Sequence, residues 1–325
     1  MVIRLATAAV LLGASFVAQA QQSAKMFRIG VVSPISANPN PTVDALRQGL
    51  RELGYVEGKN VVLVTRFADG RTERLPDLVA ETIGLRVDVL VVGSTLGALA
   101  AKRATTTVPV VFAGLYDPVA PGIVATLSRP GGNITGASMG VAGAGFAGKW
   151  VELLTQAAPG ISRVAVLSNL ASPLSAPLLK ELQTSALTTK VTLDVVDAAD
   201  AAGLDRALDK IASSAAQGLV VVLDPLFIAN RAKLVEFAAA RRLPAMYFTR
   251  IFAETGGLIT YGGSLEDSWR RAAAYVDRIL KGAKPADLPI DQPTRFELVI
   301  NLKTARALQM DIPRSLLLRA DQIIE

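Results

Sequence analysis

The chain contains no cysteine and no histidine. The first absence excludes disulfides and thiolate metal sites. It also excludes a lipid-anchored amino terminus, which needs a cysteine behind the signal. The second removes the commonest general base and the commonest metal ligand. Together they argue against most hydrolytic, redox and zinc chemistries. Aromatic residues are sparse at 5%, and charged residues make up 19% of the 325 positions. Basic residues exceed acidic ones only modestly, 34 Lys+Arg against 28 Asp+Glu, for a net charge of +6. They are scattered: Arg241-Arg242 and Arg270-Arg271 are mere pairs, and no basic run alternates with aromatics. A mildly basic solvated surface accounts for this better than a nucleic-acid face. No clustered carboxylates have metal-loop spacing, so neither a metal nor a cofactor is expected. Glu266-Asp267 stands near a helix start, where acids favour the helix dipole.

Hydrophobic residues are abundant, 51% of the chain. The length exceeds that at which one core stops growing, which suggests two lobes. Met1 to Ala20 reads as a secretory signal: Arg4 begins it, Leu5 to Val17 is its apolar stretch, and Ala18-Gln19-Ala20 is a small-x-small cleavage site. The apolar stretch is short for a bilayer span of about 20 residues. A periplasmic protein, exported with cleavage after Ala20, is therefore expected.

Beyond the signal, short apolar runs alternate with helical patterns, the rhythm of βαβ units on a parallel sheet. Strands are expected at Phe27 to Val32, Asn60 to Arg66, Asp88 to Val92 and Val108 to Phe112. Intervening helices are expected near Thr42 to Leu53, Glu73 to Leu85 and onward from Gly93-Ser94-Thr95. A glycine-rich stretch, Gly131 to Gly148, interrupts the rhythm and reads as a hinge. The pattern then resumes through strands at Arg163 to Leu167, Lys190 to Val195, Gly218 to Leu223, Ala245 to Phe248 and Leu258 to Tyr261. Helices are expected at Lys149 to Ala158, Pro177 to Leu187, Ala201 to Ser213 and Ile228 to Ala240. A long helix, Leu265 to Lys281, and a proline-punctuated linker, Pro285 to Pro293, precede a last strand, Phe296 to Asn301, and helix, Leu302 to Leu308. The fold class is α/β: two Rossmann-like doubly wound lobes joined by hinge crossovers. The pattern itself gives two βα runs of similar size with a flexible seam between them, followed by a shorter tail.

Several longer motifs resemble one family. Arg47-Gln48-Gly49-Leu50-Arg51-Glu52-Leu53-Gly54-Tyr55-Val56-Glu57-Gly58-Lys59-Asn60 is similar to a signature of ABC-transporter substrate-binding proteins, a group that includes tryptophan- and tyrosine-type receptors. Ala101-Lys102-Arg103-Ala104-Thr105, Arg129-Pro130-Gly131-Gly132-Asn133-Ile134-Thr135-Gly136, Asp224-Pro225-Leu226, the stretch Tyr275 to Pro289 and the stretch Phe296 to Ala305 resemble it too. The resemblance spans Phe27 to Glu325. It implies the type I periplasmic-binding-protein fold, two lobes joined by three crossovers, with residues 26–137 and about 263–292 in lobe 1, and 138–262 and about 293–325 in lobe 2. It also implies a small-molecule ligand handed to ABC permease subunits at the membrane, with no chemical turnover. A monomer is expected. A sensory receptor of the same fold is the alternative, and a periplasmic enzyme a more distant one.

Three short motifs do not survive inspection. Gly136-Ala137-Ser138-Met139-Gly140 fits the G-x-S-x-G nucleophile elbow, but that chemistry needs a histidine. Gly143-Ala144-Gly145-Phe146-Ala147-Gly148 fits a dinucleotide fingerprint, yet the next strand ends in Ser168-Asn169 instead of an acid. Asn133-Ile134-Thr135 fits a glycosylation sequon inside a family motif, where a structural turn is the better reading.

Ligands of doubly wound sheets sit at the carboxyl ends of strands. In the first lobe these ends carry Ser33, Ser36, Ser94, Thr95, Tyr116 and Asp117. In the second they carry Asn169, Asp224, Tyr247, Phe248 and Tyr261. Ser94 and Thr95 at a helix start suit a carboxylate, or they merely cap the helix. Asp224 suits a ligand ammonium, or it caps the helix that follows. Tyr116, Tyr247 and Phe248 supply stacking faces or core packing. A small carboxylate-bearing ligand, an amino acid or aromatic acid, is the expected class. Amino-terminal sequencing of the secreted protein should begin at Gln21, and recovery of an intact signal in the membrane fraction would contradict export with cleavage.

Overall fold

The structure, a computed structural model, describes residues 26–36, 40–140, 145–293 and 295–325. The expected signal, Met1 to Ala20, lies outside the described residues, as do Gly143 and Ala144 of the dinucleotide-like motif. The chain opens with β1 (Phe27–Ser33), α1 (Pro41–Glu52), β2 (Val61–Phe67), α2 (Leu75–Gly84), β3 (Val89–Gly93), α3 (Thr95–Ala104), β4 (Val110–Tyr116) and β5 (Ile134–Gly140). These strands form one parallel sheet in the order β2-β1-β3-β4-β5. β3 is buried along its whole length, which is why Val89 to Val92 read as a continuous apolar run. Helices fill both faces of the sheet. One core gathers Leu75, Val79, Leu90 and Phe112, and the other gathers Val43, Leu46, Val91 and Trp269.

The chain then builds a second sheet. Its elements are α4 (Gly148–Ala157), β6 (Arg163–Ser168), α5 (Ser175–Thr189), β7 (Thr192–Asp197), α6 (Ala201–Ala212), β8 (Gly218–Val221), α7 (Pro225–Ala229), α8 (Arg231–Ala240), β9 (Ala245–Tyr247), α9 (Ile251–Glu254) and β10 (Ile259–Gly262). From here α10 (Leu265–Leu280) returns to the first sheet, packing on α1, β3, β4 and β5. The chain crosses once more to add β11 (Glu297–Asn301), α11 (Leu302–Ala307), α12 (Arg314–Leu317) and β12 (Gln322–Ile324). The second sheet runs β12-β11-β10-β9-β8-β6-β7, with only β10 and β11 antiparallel.

The return of α10 explains its composition. Its apolar stripe, Trp269, Ala272, Ala273, Val276 and Ile279, recurs at helical spacing and is buried. Ser264 caps its start by accepting from the Asp267 N–H at 3.1 Å. Gly49 on α1 lets the two helices approach closely, since a Cβ there would stand 2.6 Å from the Arg270 carbonyl. The third crossing runs beside β5: the Ser138 N–H donates to the Asp291 carbonyl at 2.8 Å, and the Asp291 N–H donates to Gly136 at 3.0 Å. Arg271 of α10 holds that crossing by pairing with Asp291, while Asp267, one turn earlier on the same helix, braces the guanidinium.

The glycine-rich stretch holds more order than a hinge. β5 occupies Ile134–Gly140 and every residue in it is buried. Its glycines hide it from a β-propensity reading but serve the packing. A Cβ on Gly136 would lie 2.1 Å from the Phe112 carbonyl oxygen, and its φ of +153° lies outside the usual range of L side chains. The helix expected at Ile228 to Ala240 also differs: it is two helices, α7 and α8, meeting at Asn230, whose side chain donates to the Leu226 carbonyl. Substituting Gly136→Ala should lower the thermal midpoint and cost more than about 2 kcal/mol of stability in chemical denaturation. An unchanged midpoint would contradict the close approach of β4 and β5.

Candidate ligand site in the interlobe cleft

The ends of β1, β3 and β4 meet the segment after β8 around one cavity of about 620 Å³ of non-atom space, part of it open to solvent. The first lobe lines it with Ser33, Ile35, Ser94, Thr95, Gly114 and Tyr116, among others, and the second with Ser172, Leu174, Leu223, Asp224, Pro225 and Ile228. α10 contributes Leu265 and Trp269. Topology sets this position: in a parallel sheet the loops that follow the strands all open on the same edge.

Ser94 caps α3. Its Oγ accepts from the Gly97 N–H at 3.2 Å, and its φ is +65°, a strained value for serine. The amides of Thr95 and Leu96, in the first turn, have no intrahelical acceptor by construction. Thr95 itself is buried, and its Oγ1 has no hydrogen-bond partner among the described residues. A buried hydroxyl left unpaired costs about 1–3 kcal/mol. It stands on the cavity wall, so an occupant with a suitable acceptor would satisfy it.

Asp224 faces the same cavity from the other lobe and is 1% exposed. One of its oxygens caps α7 by accepting from the Leu226 N–H at 2.8 Å. The other accepts from the Asn169 side-chain amide at 3.0 Å. Burial pushes its pKa up to about 6, while these two donors pull the other way. Asn169 in turn accepts from the Ala171 N–H at 3.1 Å, so it orients the carboxylate without itself lining the cavity.

The other expected residues divide. Ser33 and Tyr116 line the cavity. Ser36 is exposed, and its carbonyl accepts from Asn40 at 2.7 Å; its side chain is not part of the wall. Asp117 turns away to cap the following loop, accepting from the N–H groups of Val119 and Ala120 at 3.0 and 3.1 Å. Tyr247 and Phe248 are core residues: Tyr247 stacks on Phe252 at 4.6 Å, and Phe248 meets the same ring edge-on at 5.5 Å. Tyr261 packs among Phe146 and Phe296, beside the cavity instead of on its wall. Strand ends near a cleft point alternately inward and outward, and sequence position alone does not distinguish the two.

Sequence reasoning missed the floor of the cavity. The Trp269 indole, 2% exposed, lies over the backbone of two adjacent strand ends. A Cβ on Gly93 would stand 2.8 Å from its Cζ2, and one on Gly114 would stand 2.4 Å from Leu265 Cδ1. Gly114 has a φ of +72° and sits where β4 slips register against β5, a bulge beside the site. The available signal was the pair Leu265 and Trp269, four apart on an otherwise charged first turn. Asn40 was missed as well. It is buried, caps α1 through Val43, and donates to Ser33 Oγ at 3.2 Å, tying the start of α1 to the end of β1. Asn followed by Pro at the first helical position was its signature.

Two doubly wound lobes enclosing a largely apolar cavity at facing strand ends, with a few polar groups converging on it, define a type I periplasmic-binding-protein receptor. The chain belongs to the family of ABC transporter substrate binding proteins, whose sequence model matches residues 28–324. It is 23% identical over 292 residues to a tyrosine-binding protein of Clostridioides difficile, covering 89% of this chain and 82% of that one. Its fold is similar to that of an ABC domain from Streptococcus pneumonia solved in complex with L-Trp, with a TM-score of 0.84 and 24% identity over 92% of this chain and 100% of that one. A conserved domain protein from Vibrio cholerae is similar at a TM-score of 0.83 and 27% identity, with the same coverage. The family is one of substrate-binding proteins, not of enzymes. Among the described residues no helix is long and apolar enough to cross a membrane.

Asp224 links the site to pH. Its folded pKa, about 6, lies above its ordinary 3.8, so folding favours the protonated form. That contribution is complete below about pH 4 and is lost as pH rises through 6, by at most about 3 kcal/mol. Denaturation of the ligand-free protein from pH 4 to 7.5 should show a declining component that Asp224→Asn lacks. A slope of opposite sign in that window would refute the burial of this carboxyl.

Proposed function

We propose that the protein captures a free amino acid with an aromatic side chain and delivers it, as a monomer exported to the periplasm, to an ABC importer. The observation that carries this reading is a pairing across one cavity. The unpartnered Thr95 hydroxyl stands at the start of α3, and the buried Asp224 carboxylate comes from the other lobe. A helix start with free amides suits a carboxylate. A buried carboxylate suits an ammonium through a charge-assisted hydrogen bond. A zwitterion satisfies both at once. The remaining walls, from Trp269, Leu265, Ile35, Leu174 and Tyr116, are apolar and aromatic and suit a ring. The relatives named for tyrosine and solved with L-Trp lean the same way.

Capture of this kind works by closure: one lobe engages the ligand, and the second moves over it about the crossovers. An ammonium beside Asp224 favours its ionised form, so binding below about pH 6 displaces a proton. Affinity then falls by up to about tenfold per pH unit below that point.

Calorimetry with L-tyrosine and L-tryptophan tests the reading, with tyramine and phenylpropionate as controls that lack the carboxylate and the ammonium. Both amino acids should bind and both controls should bind far more weakly. Thr95→Val and Asp224→Asn should each weaken amino-acid binding by about 2–5 kcal/mol, with Thr95→Val leaving thermal stability unchanged or raised. Equal affinity of both variants and wild type would reject this assignment of the site.

A further inference from the structure

We propose that Tyr116 is a closure latch, a first-lobe ring that seats in an aromatic cluster at the edge of the second lobe, beside the crossovers, and so couples filling of the cavity to docking of the lobes. The proposal rests on the ligand reading above only for its choice of probe. Tyr116 is the last residue of β4 in the first sheet, yet its ring belongs to the core of the second lobe. Its centroid lies 5.2 Å from that of Phe146, tilted by 31°. Gly140 makes room for it: a Cβ there would stand 2.6 Å from the Tyr116 ring.

Two crossovers supply members of the cluster and the second sheet supplies a third. Phe146 lies between β5 and α4, Phe296 stands immediately before β11, and Tyr261 lies within β10, one residue before its end. Phe146 is 4.8 Å from Phe296 and 5.9 Å from Tyr261. Trp150 backs them, edge-on to Phe146 at 5.1 Å, with its indole N–H donating to the Tyr261 carbonyl at 2.8 Å. The cluster therefore lies beside the first and third crossovers, on the second-lobe side of the junction. Tyr116 touches it from one side and forms cavity wall on the other. Opening the cleft withdraws this ring and exposes the face of Phe146 to water, which burial opposes. Phe296 holds Phe146 in place through its own contact with that ring. A ligand lodged beside Tyr116 keeps the ring seated, and removal of either partner loosens the closed state.

The test compares wild type with Tyr116→Phe, Tyr116→Leu and Phe296→Leu. Phe296 does not line the cavity, so its substitution loosens the seat without altering the wall. Stopped-flow release of L-tyrosine and small-angle scattering with and without it are measured, alongside thermal midpoints. Tyr116→Leu and Phe296→Leu should release L-tyrosine about tenfold faster and compact less on binding it, while Tyr116→Phe restores both. Wild-type release and compaction in both leucine variants would overturn the latch. If wild type does not bind L-tyrosine, the ligand class fails by itself. Ligand-free scattering then decides: a larger radius of gyration in both leucine variants supports the latch, and radii equal to wild type overturn it.

Discussion

The packing of α10 against the first sheet is the constraint on which the rest depends. This helix follows ten strands and nine helices of chain, yet its apolar stripe finds its partners on α1, β3, β4 and β5. Burying Trp269, Ala272, Ala273 and Val276 there forces the backbone to cross between lobes before it and again after it. Two of the three crossovers are consequences of that one hydrophobic face. So is the cavity floor, because the first turn of the same helix lays Trp269 over Gly93 and Gly114. Small residues at those strand ends and at Gly49 are what allow the helix to lie close.

Around that floor the polar groups are few and unequal. Ser94 and Asn40 are occupied in holding backbone and Asn169 in holding Asp224, so they give the cavity its shape. Thr95 and Asp224 retain unused capacity: one hydroxyl without a partner and one carboxylate raised toward neutrality by burial. Buried polar groups are normally satisfied. Ser138, Ser185 and Thr260 also lack partners among the described residues, but of these hydroxyls Thr95 alone stands on the cavity wall. The separation of Thr95 and Asp224 onto different lobes means that neither lobe alone presents both groups to an occupant.

The hinge region is correspondingly well built. Arg271 ties α10 to Asp291, the third crossover runs hydrogen-bonded beside β5, and Phe146 and Phe296, which precede α4 and β11, pack together and against Tyr261 of β10. Ile35 and Tyr116 of the first lobe join the core cluster of the second, so the lobes also meet directly beside these segments.

The alternation of apolar runs and amphipathic helices was legible because its periods, two and 3.6, are properties of the local chain. The doubly wound class, the resemblance to a receptor family and the absence of histidine-dependent chemistry followed from the amino-acid order alone. β5 did not, since its glycines and serine lower strand propensity and it is held by neighbours instead. Ser33, Ser94, Thr95, Tyr116 and Asp224 were found at the cavity because strand ends are identifiable in sequence. Ser36, Asp117, Tyr247, Phe248 and Tyr261 were indistinguishable from them at that level, and Trp269 was invisible as wall. Sequence determines where each strand stops. Which way the next side chain turns, and which distant helix closes the space above it, depends on contacts between residues more than a hundred positions apart, and only the folded chain decides those.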